Sequence, residues 1–138
     1  MGTFLVYCFI KLSDAVGIMK KSILIVDDND LNREVIVDIL EPQGFQLDEA
    51  EDGAQAVAMV TDKDYDLVLM DIMMPVMDGV EATRQIRNLR GFEEPPRIVA
   101  VTAKKLDGNA GKWAGAGFND FVGKPFDEAD LNRVLSID

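Results

Sequence analysis

Short apolar runs alternate with longer segments of helical period from Ser22 onward. Parallel strands read as unbroken apolar runs, because helices bury both faces of a parallel sheet. The alternation therefore predicts an α/β fold in which helices wrap a parallel sheet. The predicted strands are Ile23 to Val26, Phe45 to Leu47, Leu67 to Met70, Ile98 to Val101 and Phe121 to Val122.

A segment of helical period follows each predicted strand, so we predict five β/α units. Asp28, Asn29 or Asp30 can cap the first helix, and Gly44 can end it. The predicted helical positions are an apolar face of Leu31, Val35, Ile36, Ile39 and Leu40, then Ala54 to Val60, Val80 to Ile86, Leu106 to Gly117 and Glu128 to Leu135.

The fourth helical segment is crowded with glycine. Each interior glycine costs about 1 kcal/mol relative to alanine. We therefore expect this helix to be weakly formed in the resting state. The glycines are Gly108, Gly111, Gly115 and Gly117.

A polar residue stands at the carboxyl end of each predicted strand. Successive members are one β/α unit apart, so their side chains share one edge of the sheet. Open parallel sheets bind ligands at this edge. The residues are Asp27, followed directly by Asp28, and then Glu49, Asp71, Thr102 and Lys124.

Three of these residues, Asp27, Asp28 and Asp71, are carboxylates that repel one another by about 4 kcal/mol per pair at roughly 4 Å. A divalent cation would remove that repulsion, and hard oxygen ligands favour Mg²⁺ over zinc. With Mg²⁺ and Lys124 the pocket becomes neutral and can admit an anionic phosphoryl donor. A carboxylate there can attack phosphorus, while metal, lysine and the Thr102 hydroxyl stabilise the transition state.

The motifs that surround these residues resemble the receiver domain of two-component response regulators, especially the receivers of hybrid sensor histidine kinases. The match covers residues 20 to 136 in the same order and spacing. The motifs are Ile23-Leu-Ile-Val-Asp-Asp-Asn29 with Asn32-Arg33, Leu67-Val-Leu-Met-Asp71-Ile-Met-Met-Pro75-Val-Met-Asp-Gly79, Ala100-Val-Thr102-Ala103 and Lys124-Pro125-Phe126.

The resemblance implies a role for each residue of the pocket. Asp71 would be the phosphoacceptor, and Asp27 and Asp28 would bind Mg²⁺ together with Asp71 and the Met73 carbonyl. Lys124 would contact the phosphoryl group.

The resemblance also implies a switch and a fold. Thr102 would move toward the phosphate, Phe121 would turn inward in the active state, and the Lys124-Pro125 bond would be cis. The fold would be flavodoxin-like: a doubly wound, five-stranded parallel sheet of order 2-1-3-4-5 with five helices. Phosphorylation would change the face formed by the fourth helical segment, the last strand and the last helix.

The same resemblance implies a signalling role that depends on partners. The chain contains no histidine, so a sensor histidine kinase or a histidine phosphotransfer protein must supply the phosphoryl group. A downstream protein would read the changed face. We expect a regulatory phosphoacceptor, with slow autodephosphorylation, rather than an enzyme with rapid turnover.

Composition sets limits on location and partners. With 138 residues the chain fits one domain, and its net charge of -11 argues against direct binding of nucleic acid. Cys8 has no internal disulfide partner, which fits the cytoplasm. The apolar stretch Thr3 to Leu12 is too short to span a membrane. We expect residues 1–18 to be an extension of uncertain role and 19–138 to form the receiver domain, with no output domain attached.

Other functions use comparable residues but fit less well. A metal-dependent phosphatase with an aspartate nucleophile usually has a second acid two residues later, where Met73 stands. A flavin site should have a Ser/Thr/Gly loop after the first strand, where Asp-Asp-Asn-Asp stands. A calcium loop starting at Asp28 has Arg33 in place of its glycine and Ile39 in place of its closing glutamate. A phosphate-independent interaction module is disfavoured because every expected polar position is present.

Overall fold

The computed structural model describes residues 21–92, 95–103 and 115–135, and these form one five-stranded parallel sheet with helices on both faces. The strand order is β2-β1-β3-β4-β5, which confirms the predicted doubly wound topology. The elements are β1 (Ser22–Val26), α1 (Asp30–Leu40), a 3-10 turn (Glu41–Gln43), β2 (Gln46–Ala50), α2 (Gly53–Asp62), β3 (Leu67–Asp71), α3 (Gly79–Asn88), β4 (Arg97–Thr102), β5 (Asp120–Gly123) and α4 (Glu128–Val134).

The central strands carry the core because both of their faces are covered. Every residue of β3 is buried, as are four of the five residues of β1. Successive side chains point to opposite faces. Leu24 and Val68 therefore pack with α2 and α3, whereas Ile23 and Leu69 pack with α1 and α4.

The edge strand β2 differs from its prediction. The apolar pattern placed it at Phe45 to Leu47, but it runs over Gln46–Ala50 and pairs along its length with β1. Four of its five residues are partly or fully exposed. An edge strand with one solvated side needs few apolar residues, and in β2 the polar Asp48 and Glu49 interrupt the apolar pattern before the buried Ala50.

Each α-helix described begins at a side-chain cap. Asn29 caps α1 by accepting a hydrogen bond from the Asn32 N–H, which selects one of the three predicted caps. Asp127 caps α4 through reciprocal bonds with Asp130. Asp52 and Asp78 cap α2 and α3.

Two expectations for the first helix were wrong in part. Gly44 ends the 3-10 turn that follows α1, not α1 itself, and it does so with φ +88°. Ile36 and Leu40 are buried, but Leu31 and Val35 are 70% and 51% exposed. These two side chains lie on the part of α1 that faces solvent beside the carboxyl edge of the sheet.

Four α-helices lie in the described ranges, against five predicted. Most of the predicted fourth helical segment falls outside the described residues, as does the expectation that its glycines weaken it. Residues 1–18 also fall outside them. None of the helices described is both long enough and apolar enough to cross a membrane.

Candidate functional site

Three carboxylates converge at the carboxyl edge of the sheet. Asp27 follows β1, Asp28 opens the turn into α1, and Asp71 ends β3. One oxygen from each lies within 4.8 Å of the others. Asp27 and Asp71 are buried and Asp28 is exposed, so the cluster has one open side. An open set of carboxylate oxygens suits a hard divalent cation that retains water or substrate ligands.

Lys124 reaches this cluster from the residue that follows β5. Its Nζ lies 3.0 Å from Asp27 Oδ2 and 3.5 Å from Asp71 Oδ1. Asp27 Oδ1 accepts a hydrogen bond from the Asn29 N–H at 2.9 Å. The lysine bridges the two buried acids and offsets part of their repulsion.

The surroundings of Asp71 disfavour the ionised form of its carboxyl group. Burial and the nearby Asp27 carboxylate raise its pKa to about 6, against the opposing effects of Lys124 and the Met73 N–H. Desolvation and like charge both disfavour the ionised form. The site thus holds a carboxylate whose negative charge is only partly compensated by the protein.

The loop after Asp71 folds back onto it. The Gly79 N–H donates to the Ile72 carbonyl at 3.0 Å, and a Cβ on Gly79 would lie 2.2 Å from the Asp71 carbonyl oxygen. Val76 at the tip of the loop has φ 68° and is fully exposed. Only glycine permits this close return, so Gly79 keeps the loop beside Asp71. Met73 lies in this loop with its side chain 59% exposed.

The predicted switch residues lie on the two neighbouring strands. Thr102 is buried at the end of β4, and its carbonyl accepts a hydrogen bond from the Lys124 N–H at 2.7 Å. Phe121 is half-buried on β5, with its ring centroid 5.8 Å from that of Phe118. The Lys124-Pro125 bond is cis, which confirms that expectation. The movements expected of Thr102 and Phe121 stay predictions.

Glu49 shares the sheet edge as predicted, but its carboxylate accepts a hydrogen bond from Arg33 at 3.0 Å and is absent from the acidic cluster. Arg33 is buried and also donates to the Asp27 carbonyl at 2.5 Å. Arg33 belongs to the first of the matching motifs, but the motif alone assigns it no role. Its place in the first turn of a helix does not by itself reveal these contacts.

Fold and site together define a doubly wound domain that presents carboxylates and a lysine at its ligand-binding edge, an arrangement suited to phosphoryl transfer beside a divalent cation. Comparison with known families agrees. The chain belongs to the response regulator receiver domain family, which matches residues 23–136. It is a phosphoacceptor switch of two-component signalling, as the motif resemblance indicated.

Among curated proteins, the chain is 42% identical over 119 residues to two-component system protein A of Emericella nidulans; the match covers 84% of this chain but only 17% of that protein. Among solved structures, it is 40% identical to the receiver domain of sensor histidine kinase PA1611 from Pseudomonas aeruginosa PAO1, described with a magnesium ion in the active-site cleft. The TM-score is 0.76, covering 84% of this chain and 94% of that one.

A second solved structure is the complex of the Saccharomyces cerevisiae histidine phosphotransfer protein Ypd1 with the receiver domain of its downstream response regulator Ssk1. The identity is 29% and the TM-score 0.79, over 85% of this chain and 87% of that one. The likeness therefore includes a receiver in complex with a phosphotransfer protein.

Proposed function

We propose that Asp71 accepts a phosphoryl group from a phosphohistidine on a partner protein, in a reaction that needs Mg²⁺. The observation that carries the proposal is the convergence of Asp27, Asp28, Asp71 and Lys124 at one edge of the sheet. An Asp71 oxygen attacks phosphorus, the phosphorus–nitrogen bond breaks, and its electron pair returns to the imidazole. The product is an acyl phosphate.

Asp27, Asp28 and Asp71 would hold Mg²⁺ together with the Met73 carbonyl. Their oxygen donors, and the like-charge repulsion that burial leaves at Asp71, fit a divalent cation. When bound, the ion supplies positive charge to the phosphoryl oxygens. Lys124 contacts the phosphoryl group from the end of β5, and the Thr102 hydroxyl moves toward that group. Phe121, on β5, turns inward in the phosphorylated state.

The domain acts as a regulatory switch and not as a phosphatase with rapid turnover. A second acid two residues after the nucleophile would serve a phosphatase as general acid or base. Met73 occupies that position here. The acyl phosphate is then lost by slow self-catalysed hydrolysis.

The donor is a sensor histidine kinase or a histidine phosphotransfer protein, and it docks over the carboxyl edge. A cleft of about 400 Å³ opens beside Lys124, between α1 and the cis-proline turn. Exposed apolar side chains lie around the site, which suits a protein partner. They are Leu31, Val35, Met73 and Val76.

A downstream protein reads the face that includes β5 and α4. We place this cytoplasmic receiver domain at residues 19–138, and residues 1–18 form an extension of uncertain role. Nucleic acid is not a direct partner, because the chain carries a net charge of -11.

Labelling by a small phosphoryl donor tests the proposal. Acetyl phosphate with Mg²⁺ should phosphorylate the wild type but not Asp71→Asn, as read by intact mass. Beryllofluoride with Mg²⁺ should change the fluorescence of Trp113, the single tryptophan, only in the wild type. A wild type that takes up neither reagent with Mg²⁺ present would overturn the proposal, and rapid turnover of many phosphate esters would favour the phosphatase.

A further inference from the structure

Arg33 lies on the first turn of α1 with a side chain that is only 7% exposed. Its guanidinium donates to three groups on three parts of the fold. Nη1 donates to the Asp27 carbonyl at 2.5 Å, Nε donates to Glu49 at 3.0 Å, and Nη2 pairs with Asp30. The end of β1, the end of β2 and the start of α1 are therefore joined through one side chain.

The bond to Asp27 fixes the backbone at a proposed metal ligand. The Asp27 N–H donates to the Ala50 carbonyl at 3.1 Å, and the Asp27 carboxylate accepts hydrogen bonds from the Asn29 N–H and from Lys124 Nζ. Arg33 adds the contact to the remaining polar atom, the carbonyl oxygen. Asp28 follows in the same turn, so the direction in which both carboxylates point depends on that peptide.

A cation beside a metal site could act in two opposite ways. Its charge would repel Mg²⁺, and its hydrogen bonds would hold the ligands in place. The charge of Arg33 is opposed by Asp30 and Glu49 at contact distance and by Glu51 at 4.0 Å. These acids largely neutralise the guanidinium locally, so its hydrogen bonds outweigh its charge.

We propose that Arg33 is a positioning residue for Mg²⁺ binding: by holding the Asp27 carbonyl against β2 and α1, it preorganises Asp27 and Asp28. The inference rests on the metal site of the proposed function and deepens it. Groups that orient metal ligands typically change metal affinity by about tenfold or more when removed.

Two substitutions separate position from charge. Arg33→Lys keeps the charge, but one ammonium cannot span three separated acceptors. Arg33→Gln removes the charge as well. Both should raise the Kd of the full chain for Mg²⁺ by about tenfold, measured by calorimetric titration at constant ionic strength. Repulsion by charge alone would instead make Arg33→Gln bind Mg²⁺ more tightly than the wild type.

Arg84 provides the matched control. It is an exposed helical arginine whose contact with Glu81 is 3.9 Å long, and Arg84→Lys and Arg84→Gln should leave the Mg²⁺ Kd unchanged. Glu49→Gln, which weakens one anchor of Arg33, should raise the Kd by a smaller factor and replaces the Arg33 variants if those fail to fold.

Unfolding in EDTA gives the second readout. If Arg33 were merely structural, its substitution would lower the free energy of unfolding but leave the Mg²⁺ Kd unchanged. Folded variants that behave in this way would overturn the inference. If the wild type itself bound no Mg²⁺, the metal site of the proposed function would fail, which is a different result from equal affinities in wild type and variants.

Discussion

The ionised carboxylate of Asp71 lowers the stability of the fold at the position where the proposed chemistry needs it. Its side chain is buried beside Asp27, and Lys124 at 3.5 Å offsets only part of the repulsion. A pKa raised to about 6 means that the ionised carboxylate is penalised in the folded state. The same penalty gives the site its attraction for a cation, so stability and function oppose each other at this residue.

Asp71→Asn should therefore stabilise the metal-free protein. At pH 7 in EDTA we expect the free energy of unfolding to rise by about 1–2 kcal/mol, measured by urea titration. Because the pKa of Asp71 is raised in the folded state, the penalty exists only at pH values above the unfolded pKa. It disappears as the pH falls from about 6, the folded pKa, toward 3.8, the ordinary pKa. The advantage of the variant should shrink over that range, and a variant less stable than wild type at pH 7 would contradict this account.

Gly79 is required by its contact with the residue that carries the proposed phosphate. In Gly79→Ala the new methyl would meet the Asp71 carbonyl oxygen at 2.2 Å, where backbone must move. We expect a loss of about 2 kcal/mol in the free energy of unfolding, together with slower labelling by acetyl phosphate.

Gly115→Ala is the control for Gly79→Ala, because Gly115 lies in a turn and not inside a helix, and a Cβ there meets nothing within 4 Å. The control should leave the labelling rate unchanged, and it should change the free energy of unfolding by no more than about 0.5 kcal/mol. Equal effects of the two substitutions would show that crowding at Asp71 is not the cause.

Single residues also mark the limit of sequence-based prediction. The sequence predicted that four residues would be neighbours, because they stand at the carboxyl ends of strands in one parallel sheet. They are Asp27, Asp28, Asp71 and Lys124. Arg33 could not be predicted to join them, since its position in a helix does not reveal that the side chain turns back to a strand end.

At the scale of elements, the edge strand β2 is held by polar contacts where the central strands use apolar packing. Asp48 accepts hydrogen bonds from the Tyr65 hydroxyl at 2.7 Å and from Lys63 Nζ at 3.0 Å. These donors come from the connection between α2 and β3. They tie the exposed strand to the rest of the sheet, and they lower the pKa of Asp48, with Tyr65 the larger cause.

Tyr65→Phe should remove this tie with little change in packing. We expect a loss of about 1 kcal/mol in the free energy of unfolding at pH 7. The pKa of Asp48 is lower in the folded state than in the unfolded state, so its ionisation stabilises the protein at pH values above the unfolded pKa. That stabilisation is lost as the pH falls through the folded pKa. The difference between the proteins should therefore shrink as the pH drops below 3.8, the ordinary value for Asp48.

An NMR titration of the Asp48 carboxyl provides the direct measurement. In Tyr65→Phe its pKa should rise toward the ordinary value of 3.8, because the largest lowering contact is gone. An unchanged pKa would show that the Tyr65 hydrogen bond is not what lowers the pKa of Asp48.

The central strands and the edge strand β5 were predictable, but the other edge strand, β2, was not. β1, β3 and β4 extend by no more than one residue at either end beyond the predicted runs, because apolar residues fill them. The second half of β2 was missed because polar Asp48 and Glu49 precede the buried Ala50. The cis bond at Lys124-Pro125 followed only from family resemblance, since no local physical signal in the sequence distinguishes it from a trans bond.

Across the whole molecule, a net charge of -11 acts on the fold in addition to the local repulsion at Asp71. Self-repulsion destabilises a compact chain, and any salt relieves it by screening. A protein of this charge gains stability from Mg²⁺ for two reasons, general screening and occupation of the acidic cluster. The two can be separated because only the second requires Asp27, Asp28 and Asp71 together.

Thermal or urea unfolding in MgCl₂ should therefore be compared with NaCl of equal ionic strength. At a Mg²⁺ concentration ten times its Kd, site binding should add about 1.4 kcal/mol to the free energy of unfolding beyond the NaCl value. Asp28→Asn removes an exposed ligand of the cluster and should lose most of this increment while keeping the response to NaCl. Equal increments in the two proteins would mean that Mg²⁺ stabilises the chain by screening its net charge and not through the site at the end of β3.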